Sequence, residues 1–177
     1  MLRLSVFCLS LLLTSDVLAH ARLTGTTLPP RNTSDANKTA PCGAARTNNP
    51  KVLQAGETIT ITWEETVQHP GRFEFYFSES GDTNWQLLKT VQDTADDRAT
   101  LPHRYSTTLQ LPNTPCTACT IQFVQVMLDD PAIPRNYYSC ADIQLTASSN
   151  PQPSATPSPQ TPTRPAENCD DPAKPTK

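Results

Sequence analysis

Two neighbouring stretches of the chain decide its fold: residues 57–65 (ETITITWEE) and residues 72–78 (RFEFYFS). In the first stretch, isoleucine and tryptophan alternate with threonine and glutamate. In the second, three phenylalanines alternate with glutamate and tyrosine. A hydrophobic period of two is typical of β-strands that bury one face. Both stretches are therefore predicted to be strands of a sheet that covers a core.

Working outward, the surrounding sequence predicts further short strands and no long helix. They are expected at residues 85–91, 105–111, 120–128 and 140–146, with Gly, Asn, Asp and Pro between them. Several short strands at this spacing favour two packed sheets. We expect an all-β domain, an immunoglobulin-like or fibronectin-like β-sandwich, over residues 20–147.

The two ends of the chain differ from this domain. Residues 1–19 combine Arg3, an apolar run at 4–13 and small or tolerated residues before a possible cleavage site after Ala19. This pattern predicts a signal peptide, too short for a stable membrane span, and hence a secreted or periplasmic protein. Residues 148–177 hold eight of the 18 prolines. This Pro/Ser/Thr-rich composition predicts a disordered tail.

Composition excludes some function classes. The chain of 177 residues has a formal net charge of −3 and only five glycines. A nucleic-acid partner is not expected, because binding to phosphates needs a basic surface. Nucleotide-binding glycine motifs are also missing from the sequence.

Cleavage after Ala19 would make His20 the first residue of the mature chain. Its α-amine and imidazole Nδ1 could then bind one metal ion together. Imidazole suits copper, which has the highest affinity among the divalent first-row metals. The alternative is that a histidine stands at this position by chance.

A second histidine, His69, lies in a His-Pro-Gly turn between the two deciding stretches. Alone it would be read as a surface residue, but with His20 it completes a possible site of three nitrogens. His103 follows a proline in a polar loop and is expected to be an ordinary surface residue. The acidic pairs at 64–65 and 129–130 are expected to be solvated charges at strand ends.

Cysteines divide the chain in the same way. Without Cys8 of the leader, four lie in the domain (Cys42, Cys116, Cys119 and Cys140) and Cys169 lies in the tail. Four cysteines in an exported domain imply two disulfides. The Cys116-Thr117-Ala118-Cys119 spacing alone fits a structural bridge, a redox motif or half of a zinc site.

These motifs resemble the lytic polysaccharide monooxygenases, particularly the bacterial chitin-binding type-4 kind. The resemblance covers roughly residues 20–146. It lies in His20 followed by Pro-Pro-Arg at 29–31, in the ITW sequence at 61–63 leading to His69, and in YYSCADI at 137–143.

The resemblance implies one copper ion held by His20 and His69 in a histidine brace, with Tyr137 beside the axial position. It also implies a Cys42–Cys140 disulfide, which leaves Cys116 and Cys119 as a local pair. Fungal members place a glutamine two residues before the axial tyrosine, where this chain has Arg135. Gln122 and Gln125 on the neighbouring strand are candidates to replace that glutamine.

The function implied is oxidative cleavage of glycosidic bonds in chitin or a cellulose-like polysaccharide by a monomer, with an external electron donor and peroxide or oxygen. One departure is that residues 20–56 contain no Phe, Tyr or Trp for stacking on a substrate. Two alternatives stay open: a copper carrier, which a carboxylate such as Asp142 reaching the metal would favour, and a non-catalytic carbohydrate-binding module.

Overall fold

The structure is a computed structural model that describes residues 20–32, 38–95, 98–130, 132 and 135–148. It contains eight strands and one short 3₁₀ turn. The strands are β1 (Ala21–Thr24), β2 (Lys51–Gln54), β3 (Thr58–Glu65), β4 (Gly71–Ser78), β5 (Gln86–Gln92), β6 (His103–Gln110), β7 (Cys116–Met127) and β8 (Arg135–Thr146), and the turn is Arg98–Thr100.

The strands form two sheets, with the orders β1-β3-β6 and β2-β8-β7-β4-β5. All the pairings are antiparallel except that of β2 with β8. The two-sheet β-sandwich predicted from the sequence is thus confirmed. The signal peptide, Cys169 and nearly all of the tail lie outside the described residues.

Aromatic side chains from both sheets fill the core. Trp63 of β3, which is 1 % exposed, packs its ring edge-on against Phe73 and Phe75 of β4 and tilted against Phe123 of β7. The alternation at residues 57–65 and 72–78 therefore marks the buried faces correctly. Burying an aromatic side chain of this kind contributes about 1.5–3 kcal/mol.

The segment between β1 and β2 lies over the outer face of the five-stranded sheet. The Cys42–Cys140 disulfide joins it to β8, and a second disulfide joins Cys116 to Cys119 within β7. The Cys116–Cys119 bond fits the interpretation of this spacing as a bridge rather than as half of a zinc site. Both bridges match the pairing that the resemblance implies.

A buried ion-pair network fastens the same segment. Arg31 donates to Asp142 on β8 at 2.6 Å and to Asp82 at 2.7 Å, and Thr47 N donates to Asp142 at 2.6 Å. The Asp142 carboxylate is thus held by Arg31 on the outer face of the sheet. Among the described residues, no helix has the length and hydrophobicity that a bilayer crossing requires.

Candidate metal centre

His20 is fastened to the turn that carries His69. Strand β1 starts at the next residue and pairs Ala21 with Glu65 at the end of β3. The His20 carbonyl oxygen accepts hydrogen bonds from Thr66 N at 2.6 Å and from Val67 N at 3.3 Å. These contacts fix the chain start beside the β3–β4 turn, although His20 and His69 are far apart in sequence.

The position of the turn depends on a close approach of two strands. A Cβ atom added at Gly71, the first residue of β4, would lie 2.0 Å from the Val126 carbonyl oxygen of β7. Only glycine leaves room for that backbone contact. The His69-Pro70-Gly71 sequence therefore sets where the second histidine stands.

Three rings meet at this end of the sandwich. The His20 and His69 ring centroids are 4.9 Å apart with planes 10° from parallel, and His20 stacks on Tyr137 of β8 at 3.7 Å. They line a cavity of about 350 Å³, together with Lys38, Met127, Asp129, Asp130 and Arg135. The structure thus brings together four residues that the sequence singled out: His20, His69, Tyr137 and Arg135.

The two nitrogens of His69 have different environments. Nδ1 lies 2.8 Å from an Asp129 carboxylate oxygen, whereas Nε2 is buried and has no hydrogen-bond partner among the described residues. Since the Asp129 carboxylate can only accept, Nδ1 carries a proton, and in the neutral ring the lone pair is on Nε2. A carboxylate behind a histidine is the usual support of a metal-binding imidazole. This hydrogen bond also lowers the pKa of the Asp129 carboxyl.

The imidazole of His20 is held neutral. Burial, together with the nearby His69 and Lys38, lowers its pKa to about 4. A metal would therefore not have to displace a proton from this ring near neutral pH. In the part of the chain that the structure describes, no cluster of three His, Cys, Asp or Glu side chains is placed to hold a metal. The two imidazoles fit copper.

A buried carboxylate lies behind the two histidines. Glu65 is 0 % exposed, and its Oε1 accepts hydrogen bonds from Gln125 Nε2 at 2.9 Å and from His69 N at 3.3 Å. Gln125 is the cross-strand neighbour of Tyr137, so the two side chains share the inner face of their sheet. Burial raises the pKa of Glu65, opposed by the hydrogen bond with His103.

One expectation about these charges was wrong, because Glu65 is buried rather than solvated. Asp129 is exposed at a strand end, as expected, but its carboxylate also binds His69. His103 is not an ordinary surface residue either, because its Nδ1 lies 3.1 Å from Glu65 Oε2 and its side chain is 9 % exposed. The Tyr105 hydroxyl lies 3.3 Å from the same carboxylate.

The structure places Gln122 and Gln125, the two candidates to replace the glutamine of fungal members, on opposite faces of β7. Gln122 lies three residues before Gln125 on β7, and residues an odd number apart on a strand point to opposite faces. Its Nε2 donates to the Pro41 carbonyl oxygen at 2.6 Å on the outer face. The structure therefore leaves Gln122 away from the histidines, and Gln125 reaches them through Glu65.

Sequence reasoning missed Asp129, Lys38 and Glu65 as members of this site. Lys38 Nζ lies 5.3 Å from the centroid of the Tyr137 ring. A signal was available only for Asp129, which follows a predicted strand that is antiparallel to the one after His69. Neither Lys38 nor Glu65 has a motif around it.

The fold and the site together define a β-sandwich protein with two stacked histidines at one end, one just before β1 and one in the β3–β4 turn. A family model described as lytic polysaccharide mono-oxygenase, cellulose-degrading, matches residues 19–143, which is most of the chain. The chain therefore belongs to the lytic polysaccharide monooxygenase family. A search of curated proteins found no match.

One of the similar solved structures supports the same fold. A cellulose-active polysaccharide monooxygenase from M. thermophila matches with a TM-score of 0.52 at 19 % identity, covering 74 % of this chain and 72 % of that one. A cellulose-active LPMO in complex with copper matches at 0.44 and 24 % identity, covering 56 % and 55 %. An AA10 LPMO from Streptomyces lividans matches at 0.46 and 18 %, covering 73 % and 83 %. This chain thus spans little more than half the length of the copper-bound structure.

Proposed function

We propose that the mature protein, beginning at His20, is a secreted copper-dependent lytic polysaccharide monooxygenase. The observation that carries the proposal is the stacked pair of His20 and His69, with a buried and unpartnered Nε2 on His69. The family match starts at residue 19, one residue before His20, which supports a domain that begins there.

The residues that would hold one copper ion are His20, through its amine and imidazole, and His69, through Nε2. Copper bound there would supply the one-electron chemistry by which a reductant and peroxide or oxygen oxidise a glycosidic carbon. The neighbouring side chains of the site hold these nitrogens in place for the ion.

Asp129 and Tyr137 have separate tasks. The Asp129 carboxylate holds the Nδ1 proton of His69 and so keeps Nε2 free for the metal. Tyr137 is 5 % exposed and its ring covers one face of the His20 imidazole. The tyrosine therefore restricts the ring to one orientation and keeps water from that face.

Glu65 and Gln125 hold the site from behind. Glu65 accepts from the backbone of His69, and Gln125 donates to Glu65. Both are buried, so the turn carrying His69 cannot shift without breaking hydrogen bonds that water does not replace. We infer that this pair positions the second histidine and does not touch substrate.

The proposed substrate is a polysaccharide, in keeping with the family, and the electron donor is external. Arg135 lines the cavity and is exposed, so it can contact that substrate. The copper-carrier alternative expects a carboxylate such as Asp142 at the metal. Instead Asp142 binds Arg31 on the outer face of the sheet, so this carboxylate does not support that alternative.

The first experiment measures copper binding as a function of processing. Protein starting at His20 is compared by calorimetry with the same protein preceded by one methionine and with His69→Ala. One tight Cu(II) site is expected in the first protein, with strong loss in the other two. Unchanged affinity in the methionine-extended protein would remove the amine from the site.

The second experiment tests catalysis. The copper-loaded protein, a reductant and peroxide are incubated with chitin, cellulose, xylan and glucan, and products are identified by mass spectrometry. Oxidised oligosaccharides are expected from at least one polysaccharide and not with His69→Ala. Tight copper binding without any product would leave the copper-carrier function in place of the enzyme.

A further inference from the structure

A second cavity, of about 320 Å³, opens on the outer face of the five-stranded sheet. Three half-buried aromatic residues line it: Tyr76 of β4, Trp85 just before β5, and Tyr138 of β8. Val124 of β7 is paired with Glu74 on one side and with Tyr138 on the other. We call this cavity the aromatic groove.

The strand order sets the spacing of the rings. Strands β4 and β8 both flank β7, and adjacent strands are about 4.8 Å apart. Tyr76 and Tyr138 therefore project from strands separated by roughly 10 Å. Val124 and Gln122 of β7 lie between these strands and line the groove. A single sugar ring is small enough to lie between such aromatic walls.

Hydrogen bonds fix two of the aromatic side chains. Tyr76 OH donates to a Glu74 carboxylate oxygen at 2.6 Å, and Tyr138 OH accepts from Asn136 Nδ2 at 3.4 Å. The Glu74 carboxylate also accepts from Arg72 Nε at 2.5 Å. The tyrosine rings are thus oriented in advance, which lowers the entropy that a ligand must overcome.

One polar atom of the groove has no partner. Asn136 Oδ1 is buried, and it makes no hydrogen bond with any described residue. Such an orphaned acceptor costs stability unless something donates to it. A hydroxyl group of a ligand in the groove would satisfy it.

The groove adjoins the metal centre. Successive residues of β8 alternate between the two cavities: Arg135 and Tyr137 line the metal site, whereas Asn136 and Tyr138 line the groove. On the other side, Lys38 borders the metal site and Pro41 borders the groove. The two cavities therefore lie on opposite faces of the start of β8.

We propose that the aromatic groove is a glycan-binding subsite, on the face of β8 opposite to the metal centre. Sugars present apolar C–H faces that suit Tyr76, Trp85 and Tyr138, and hydroxyl edges that suit Asn136 and Glu74. Apolar walls with a few placed polar groups are the general pattern of such sites. The inference rests on the proposed function for its substrate class, and it supplies the aromatic surface that residues 20–56 lack.

The competing occupant is a proline-rich peptide, because aromatic grooves also bind polyproline segments. The unpartnered acceptor favours the glycan. Proline has no N–H to donate, whereas each sugar carries several hydroxyls.

The test measures binding by metal-free protein without reductant, so that it does not depend on copper chemistry. Cellohexaose, chitohexaose and xylohexaose are titrated by calorimetry, and tryptophan emission is followed in parallel. The chain has two tryptophans, and Trp63 is 1 % exposed, so a change in emission reports Trp85. The variants are Trp85→Ala and Tyr138→Ala. The control is Val52→Ala, which changes a 57 % exposed side chain on the opposite edge of the same sheet.

At least one hexaose is expected to bind and to change the emission of Trp85. Each groove variant should weaken that binding roughly tenfold, while Val52→Ala leaves it unchanged. Circular dichroism establishes that the variants are folded. No binding of any hexaose, or equal binding by all variants, would overturn the inference. So would a synthetic peptide of residues 149–168 that binds in a Trp85-dependent manner when no hexaose does.

The failures of the two proposals are distinguishable. If copper binding fails but the hexaose binds through Trp85 and Tyr138, the glycan-binding proposal stands and the monooxygenase proposal fails. If no hexaose binds to the groove, and Trp85→Ala oxidises polysaccharide as well as the unaltered protein, the monooxygenase proposal stands and the glycan-binding proposal fails.

Discussion

Replacing Glu65 by alanine should destabilise the protein far more than replacing its neighbour Glu64. Glu65 is completely buried and accepts hydrogen bonds from three groups, in Gln125, His69 and His103. The Tyr105 hydroxyl lies 3.3 Å from it but has a nearer acceptor, Asp93, at 2.7 Å. Each buried donor left without an acceptor costs about 1–3 kcal/mol. Some donors will find water or turn away, so the sum is an upper limit.

Loss of one member of a buried charged network costs about 3–5 kcal/mol, and we expect that loss for Glu65→Ala. Glu64 instead makes a partly exposed ion pair with Arg22 at 2.7 Å. Such pairs contribute about 1 kcal/mol or less, so Glu64→Ala is the matched control. The two variants differ by one position and remove the same side chain.

The measurement is urea unfolding of the metal-free protein at neutral pH. If Glu65→Ala does not fold, Glu65→Gln gives the same information. The glutamine amide keeps the shape of the glutamate side chain and one acceptor oxygen. His103 and Tyr105 can each turn an acceptor atom toward the NH₂ group of this amide. An intermediate loss is expected for that variant. A Glu65→Ala protein within 1 kcal/mol of Glu64→Ala would refute the reasoning that this network holds the turn of His69.

Three further outcomes are expected. Asp129→Ala should weaken copper binding about 10–100-fold in a competition titration, with Asp130→Ala as control, because His69 Nδ1 loses its acceptor. Replacing Cys42 and Cys140 together by serine should lower the free energy of unfolding by roughly 3–5 kcal/mol, since the bridge closes a sequence separation of 98 residues. Asp82→Asn should be less stable than the unaltered protein at neutral pH, and the difference should shrink only as the pH falls below the ordinary aspartate pKa of 3.8. Burial raises the pKa of Asp82, but hydrogen bonds from Arg31 and Thr120 outweigh this effect and lower it. The stability that the ionised Asp82 carboxylate adds is therefore present above pH 3.8 and is lost at lower pH. Asparagine tolerates the positive φ of 57° at this position, so unfolding curves at pH 6 and pH 3 isolate the charge.

How much could be predicted from the sequence depends on how local each signal is. Six strands were predicted, and their existence is confirmed. In β3 and β4 the alternation is a property of the strand itself, and the other four are short runs bounded by Gly, Asn, Asp or Pro. Strands β1 and β2 have four residues each and no such pattern, and they exist because they pair with β3 and β8.

The same distinction applies to the site. His20 and His69 carry local signals, a cleavage pattern and a turn. Glu65 was misread as solvated because its partners Gln125 and His103 lie 60 and 38 residues away in sequence. Whether a charged side chain is buried depends on how the two sheets pack together, so no local sequence pattern predicts it.

The aromatic groove depends on what the segment before β2 leaves uncovered. The Cys42–Cys140 bridge and the contact of Arg31 with Asp142 fasten that segment to β8. Tyr76, Trp85 and Tyr138 stay half open. Since residues 20–56 contain no Phe, Tyr or Trp, the rings of the groove come from β4, β8 and the residue before β5, and not from the first loop.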